Sequence, residues 1–215
     1  MKASEVNTRA RFMRQAGLLR SGGRGKGAPD MEASDLSAML LGMVSMSEPT
    51  NTGADLAELE RAVIFGCEWT DLELTEESFE NLRVSFRNKH RLAPPPFFDT
   101  EGAEKAPLGA LSKLLSVAAA RDDLEIQYIE QRMDREGRAV EFVWLQNWTH
   151  NEARKAYGDW TRDRTDLWQF PEGDEETRWE IVVEYSLVEP QRDQRQRELR
   201  IPGPPIHRIV REALA

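Results

Sequence analysis

The fold is decided by the stretch Trp179-Glu-Ile-Val-Val-Glu-Tyr-Ser-Leu187, in which large apolar side chains recur at every second position. This period of two predicts a β-strand with one buried face and one polar face. The same alternation is present at Leu124–Tyr128 and Val140–Trp144, and Asp134-Arg-Glu-Gly137 between them is typical of a hairpin turn. The three segments therefore predict a mainly antiparallel sheet of at least three strands.

Toward the N-terminus the apolar period lengthens to about 3.6, which predicts helices. A first helix carries Val6, Ala10 and Met13 and closes at Gly17, and a second carries the stripe Leu36–Val44. The fold class predicted is α+β: a helical half to about residue 120, then the sheet with helices on one side. Further helices are expected at Ala54–Cys67, from Thr75 through Phe86, at Leu108–Ala118, near Asn151–Tyr157 and, after a stiff break at Ile201–Pro205, at Ile206–Leu214.

Three domains are expected from these patterns. Residues 1–47 form a basic, helix-turn-helix-like module, residues 54–90 form a helical segment with an expected role in oligomerisation, and residues 104–215 form an acidic α+β domain with a C-terminal helix. The triple proline at 94–96 is the clearest linker, because proline forbids a continuing helix.

Charge is distributed unevenly along the 215 residues. The net charge is −9, yet residues 1–30 carry +5 and residues 190–215 carry +3, which leaves −17 on the residues between them. Basic ends on an acidic body indicate attraction of the ends to a polyanion and repulsion of it by the body.

The composition also indicates where in the cell the protein is expected. No run of about 18 apolar residues occurs, so no membrane partner is expected. Met1–Glu5 lacks the apolar stretch of a signal peptide, and Cys67 is the single cysteine, so that no internal disulfide can form. These features favour a cytoplasmic protein.

The N-terminal module has the residue types of a DNA contact. Arginine offers a two-pronged donor to phosphates and guanine edges, and glycine lets the backbone N–H groups approach phosphates closely. A flexible connector between core helices and a site for a small phosphate compound are the alternatives. The candidate DNA-binding side chains are Arg9, Arg11, Arg14, Arg20, Arg24 and Lys26, and the candidate backbone contacts to phosphate are Gly22, Gly23 and Gly25.

The glycine-rich loop does not match the nucleotide-binding patterns. A P-loop requires Ser or Thr after its lysine, whereas Lys26 is followed by Gly27, and no strand precedes the loop. A polymeric phosphate partner is therefore favoured over a mononucleotide.

The segment Arg11-Phe-Met-Arg-Gln-Ala-Gly-Leu-Leu-Arg-Ser-Gly-Gly-Arg-Gly-Lys-Gly-Ala-Pro29, followed by the Leu36–Leu41 helix, resembles the N-terminal module of small phage- or prophage-encoded DNA-binding proteins. Such proteins act as helix-turn-helix regulators or packaging adaptors. The resemblance covers about residues 5–46 and implies double-stranded DNA as a partner. It also implies that Arg11, Arg14, Arg24 and Lys26 face DNA and that Asp35 lies in the first turn of the second helix.

Catalytic motifs are missing from the sequence, so we expect no enzyme, no catalytic residues, no cofactor and no metal site. The three histidines, His90, His150 and His207, are widely separated, and Cys67 lies on an apolar stripe that favours burial over nucleophilic chemistry. The aromatic residues of the insert at 148–170 either cover the sheet or form an interface.

Three functions follow as hypotheses. The first is a phage-type transcriptional regulator that acts as a homo-oligomer and reads DNA through the basic module. The second is a packaging adaptor of the small-terminase type. The third is an interaction module or inhibitor whose acidic body mimics nucleic acid and binds a protein partner.

Overall fold

The computed structural model describes residues 2–20, 31–72, 84–87, 106–133, 138–153, 155, 173–187 and 197–214, with residues 63–69, 84–87 and 197–198 described by their backbone. The helices are α1 (Ala3–Gln15), α2 (Ala33–Val44), α3 (Thr52–Leu59), α4 (Pro107–Ala120) and α5 (Gly203–Leu214), and a 3-10 turn lies at Pro49–Asn51. The strands are β1 (Val63–Asp71), β2 (Val84–Arg87), β3 (Glu125–Met133), β4 (Arg138–Thr149), β5 (Glu176–Ser186) and β6 (Arg197–Pro202).

The strands form one antiparallel sheet in the order β2-β1-β5-β4-β3-β6. The three predicted strands are confirmed as β3, β4 and β5 at its centre. In β5 the side chains of Trp179, Ile181, Val183 and Tyr185 are all completely buried, as the alternating pattern predicts. The predicted α+β class is therefore confirmed.

The helices cover the sheet face that carries these apolar side chains. Both α2 and α5 contact β3, and the backbone N–H of Met46, just after α2, donates to Gln131 Oε1 at 3.1 Å. The buried residues of α1, α2 and α3 belong to the same apolar cluster as those of the sheet. The three expected domains therefore share one core.

Of the two helices expected in the middle of the chain, the first is confirmed only over residues 54–59, and the second is wrong over residues 84–87, the part of it that the structure describes. The helix expected at Ala54–Cys67 ends as α3 at Leu59, and strand β1 begins at Val63. Phe86, expected on a helix that starts at Thr75, lies in β2. Residues 73–83 of that helix lie outside the described residues. The segment 54–90 thus adds two strands to the sheet because β1 pairs with β5 along its length.

The C-terminal region also differs from expectation. The stiff break predicted at Ile201–Pro205 is the end of β6 followed directly by the start of α5 at Gly203. The arginine-rich segment before it contributes β6, which pairs with β3. Strand β6 is the last strand of the sheet on this side over the described residues. Residues 150–153 are helical, in agreement with part of the helix predicted near Asn151–Tyr157.

Glu60 joins α3 to the start of α4. Its Oε1 accepts a hydrogen bond from the Leu108 N–H at 3.0 Å, in the first turn of α4. Burial raises the pKa of the Glu60 carboxyl, and the hydrogen bond from Leu108 offsets only part of that effect. Ionising Glu60 therefore costs more free energy in the folded protein than in the unfolded chain.

We expect Glu60→Gln to raise the free energy of unfolding at pH 7 by about 0.5 to 1 kcal/mol, because the amide oxygen still accepts from Leu108 and carries no charge. The cost develops as pH rises from the unfolded-state pKa through the higher folded-state pKa, so the gain should shrink toward zero at about pH 3, where the Glu60 carboxyl is protonated in both the folded and the unfolded chain. Urea denaturation at the two pH values measures it. The exposed neighbour Glu58→Gln is the control, and an equal gain in both variants would contradict the assignment.

Candidate nucleic-acid interface

The first helix has one face in the core and one in solvent. The buried side chains of Ala10 and Met13 fix the inner face, and α1 contacts both α2 and α3. The helix closes as predicted at Gly17, whose φ of +75° is a left-handed conformation that glycine adopts without strain. Helix α1 is therefore held rigidly against the rest of the protein.

Arg9 lies on the inner face of α1 and is only 5% exposed. Its Nη1 donates to the Gly42 carbonyl at 3.1 Å and to Thr52 Oγ1 at 3.0 Å, and its Nη2 donates to the Ser47 carbonyl at 3.0 Å. Glu5 Oε1 pairs with the same guanidinium at 3.2 Å. The expectation that Arg9 contacts DNA is therefore corrected, because the guanidinium is buried and bonded within the protein.

The hydrogen bond from Arg9 to Gly42 satisfies a backbone carbonyl at the C-terminal end of α2. Gly42 lies in the last turn of α2, where the carbonyl groups have no partner within the helix. This turn contains no basic residue of its own, so Arg9 supplies both a donor and a positive charge at the negative end of the helix.

Arg11 and Arg14 lie on the solvent side of α1. Both side chains are exposed, and within the described residues neither forms an ion pair. The Arg11 guanidinium lies 4.9 Å from the centre of the Phe12 ring. Residues three apart on a helix are neighbours on its surface, so the two arginines form one exposed cationic surface. We call Arg11 and Arg14 the α1 arginine pair.

Arg20 is committed to an ion-pair network with the start of α2. Its Nη2 lies 2.6 Å from Asp35 Oδ2 and its Nη1 lies 2.5 Å from Glu32 Oε1. Burial of the Asp35 carboxyl raises its pKa, but hydrogen bonds from the Arg20 side chain and backbone outweigh that effect and lower the pKa overall. Asp35 lies in the first turn of α2, as expected. Its carboxylate is buried and forms an ion pair with Arg20.

The remaining candidates of the basic module are Gly22, Gly23, Arg24, Gly25 and Lys26. These residues lie outside the described residues. The hydrogen bonds of Arg20, the last described residue before this segment, reach Glu32, the second described residue after it. The candidate contacts that the structure describes as exposed and unpaired are thus the α1 arginine pair.

Helix α2 does not have an outer face that could enter a DNA groove. Leu36, Leu40 and Leu41 are each at most 2% exposed, and the helix contacts α1, α3, α4, β3 and β6. In a helix-turn-helix pair one helix must present its side chains to the groove. Of the two N-terminal helices, α1 is the one with an exposed face.

A polar cluster that the sequence did not reveal lies at one end of the sheet. His150 Nε2 lies 2.8 Å from Asp71 Oδ2, and Thr177 Oγ1 donates to the same carboxylate oxygen at 3.1 Å. The imidazole meets the Trp179 ring edge-on, which fixes its orientation. Within the described residues no group of three or more metal-ligating side chains is assembled, and Glu152 caps the chain at Thr149 instead of approaching His150.

One aromatic residue of the insert is clearly part of the core. Trp148 is buried, and its carbonyl accepts a hydrogen bond from Trp179 Nε1 at 3.2 Å. Tyr157, Trp160 and Trp168 lie outside the described residues. Within the described part of the chain, no helix has the length and apolarity needed to cross a membrane.

Comparison with known proteins found no family model that matches the chain, no similar curated protein and no similar solved structure.

Proposed function

We propose that the protein binds double-stranded DNA through the exposed face of α1, with Arg11 and Arg14 donating to backbone phosphates, and that it acts as a regulator. The proposal rests on the exposure of these two guanidinium groups, neither of which forms an ion pair within the described residues. Both lie on a helix that is fixed to the core. Charged donors on a helix that is fixed to the core suit a polyanion because the backbone that carries them needs no further ordering on binding.

The charge distribution supports the same surface. Residues 1–30 carry +5 and residues 190–215 carry +3, while the body between them carries −17, so DNA is attracted most strongly to the N-terminal end and is repelled by the body. Because α2 is buried, the contact is made by a single helix and is dominated by phosphates. We therefore expect binding that depends strongly on salt and weakly on DNA sequence.

The double substitution Arg11→Ala/Arg14→Ala tests the proposal. We expect the affinity for a short DNA duplex to fall on the order of tenfold to a hundredfold at low salt, because two phosphate contacts are lost. The slope of log affinity against log salt concentration should decrease by about 2. Fluorescence anisotropy with a labelled duplex at several salt concentrations measures both quantities.

The chain offers a matched control in α5. Arg208 and Arg211 are exposed and, like the α1 arginine pair, lie three residues apart on a helix. The double substitution Arg208→Ala/Arg211→Ala removes the same charge, and we expect it to change affinity far less. Equal losses in the two double variants, or an unchanged salt slope in the α1 variant, would show that α1 is not the contact surface.

A further inference from the structure

One edge of the sheet ends in a strand with an exposed apolar side chain. Strand β6 has a single neighbour, β3, within the described residues. Leu199 in the middle of β6 is 39% exposed, one of three large apolar side chains in the described chain that are exposed to this degree. An exposed edge strand presents unpaired N–H and C=O groups that can pair with another strand.

The register of β6 assigns its residues to the two faces of the sheet. Leu199 is paired with Gln131, whose side chain is bonded on the helix-covered side. Glu198 and Arg200 are paired with Arg132 and Glu130 and so lie on the opposite face. Charged and apolar residues therefore alternate from Glu198 to Ile201.

Arg200 is held in place before any partner binds. Its Nε donates to Glu130 Oε2 at 2.5 Å, and its guanidinium lies 3.8 Å from the centre of the Tyr128 ring. The side chain is nevertheless half exposed. A cation that is already ordered loses little entropy when a second carboxylate approaches it.

We propose that β6 pairs antiparallel with β6 of a second copy of the chain, with the two-fold axis at Leu199, to give one sheet that continues through both copies. A two-fold axis perpendicular to the sheet leaves every side chain on its own face of the sheet. Residues directly opposite each other share a face, so the axis must lie between the two copies of one residue. An axis at Glu198 opposes two glutamates, and an axis at Arg200 opposes two arginines. The axis at Leu199 places Glu198 opposite Arg200 of the second copy twice and joins the two leucines.

The charge pattern thus favours a second copy as the partner and favours the Leu199 register over the Glu198 and Arg200 registers. Opposite charges placed directly across two strands are favourable, whereas like charges are unfavourable. The short length of β6 predicts a reversible dimer with a dissociation constant on the order of micromolar. The inference goes beyond the proposed function and does not rest on DNA binding.

Cysteine cross-linking tests the register directly. An antiparallel pair centred on residue 199 places the two Cα atoms about 4.5 to 5.5 Å apart, which is within the range of a disulfide. We expect Leu199→Cys to give a disulfide-linked dimer under mild oxidation. We expect Arg197→Cys to remain unlinked because residue 197 lies opposite residue 201 of the second copy. The parent chain, which retains Cys67, controls for other disulfides.

Sedimentation velocity on the full chain from about 1 to 200 micromolar tests the dimer without cysteines. We expect Glu198→Arg to raise the dissociation constant about tenfold because two attractive pairs become repulsive. The exposed Glu175→Arg, which makes the same charge change away from β6, should leave it unaltered. Circular dichroism establishes that each variant is folded.

Four results would overturn the proposal. They are a parent chain that stays monomeric throughout the concentration range, a larger closed ring, a dimer that responds equally to Glu198→Arg and Glu175→Arg, and cross-linking at residue 197 instead of residue 199.

Discussion

Gly203→Ala is expected to lower the free energy of unfolding on the order of 3 to 5 kcal/mol, the largest effect that we predict for a single added methyl group. Gly203 is the first residue of α5 and is buried against β3. A Cβ atom there would lie 2.9 Å from the Ile126 carbonyl carbon and 3.0 Å from the Gln127 oxygen, and closer still to the Ile126 oxygen. These atoms belong to the backbone of a paired strand and cannot move aside cheaply.

The obstacle at Gly203 follows from the shape of β3. The pairing of β3 with β4 shifts between Ile126 and Tyr128, which is the signature of a β-bulge. Helix α5 begins against this bulge, so a side chain at residue 203 would push the helix away from the sheet. The buried contacts of Ile206 and Val210 would then be weakened.

Chemical denaturation of Gly203→Ala gives the measured value, and Gly42→Ala is the informative comparison. At Gly42 the nearest atoms to an added Cβ are the Sδ and Cε atoms of Met13, at the flexible end of a side chain. We expect the loss at Gly42 to be clearly smaller. Equal losses at both glycines would mean that the fixed backbone of β3 is not the cause.

The second large effect is expected at Arg9. The substitution Arg9→Met keeps most of the aliphatic stem but removes every donor that serves the carbonyls of Gly42 and Ser47 and the hydroxyl of Thr52. Buried acceptors left without a partner are costly, and α2 also loses the cation at its C-terminal end. We expect the free energy of unfolding to fall by about 2 to 4 kcal/mol.

Arg14→Met is the matched control on the same helix because Arg14 is exposed and unpaired within the described residues. Its stability should stay within about 0.5 kcal/mol of the parent. Thermal and urea denaturation separate the two variants. If Arg14→Met destabilised the protein as much as Arg9→Met, the structural role assigned to Arg9 would be wrong.

The contrast between Arg9 and the α1 arginine pair was available in the sequence. Positions 6, 9, 10 and 13 share one face of a helix, so Arg9 lies within the apolar stripe of Val6, Ala10 and Met13. An arginine on that stripe has to be buried with partners. Arg11 and Arg14 lie off the stripe and are exposed. The positive charge that the three arginines share does not separate them, whereas their positions on the helix do.

At strand β1 the spacing of the apolar residues led to a wrong prediction of helix. Leu56, Leu59, Val63 and Cys67 fit a helical spacing, yet Val63-Ile64-Phe65 is a continuous run with two β-branched residues, which favours a strand. The deciding interaction is the pairing of β1 with β5, which lies far away in sequence. Local patterns could not supply it. Asp71, His150 and Thr177 are likewise far apart in sequence, so local patterns do not indicate their cluster. It is assembled only when β1, β4 and β5 lie side by side.

The position of β1 between β2 and β5 has a consequence for synthesis on the ribosome. Val63 pairs with Ser186, so its partner strand is translated more than a hundred residues later. At a translation rate of about 5 to 20 residues per second, β1 waits on the order of ten seconds for β5. The hairpin of β3 and β4 needs no such delay because its strands follow one another directly. The nascent chain therefore completes its sheet from the centre outward, and β1 and β2, although made first, are incorporated only after β5 has emerged.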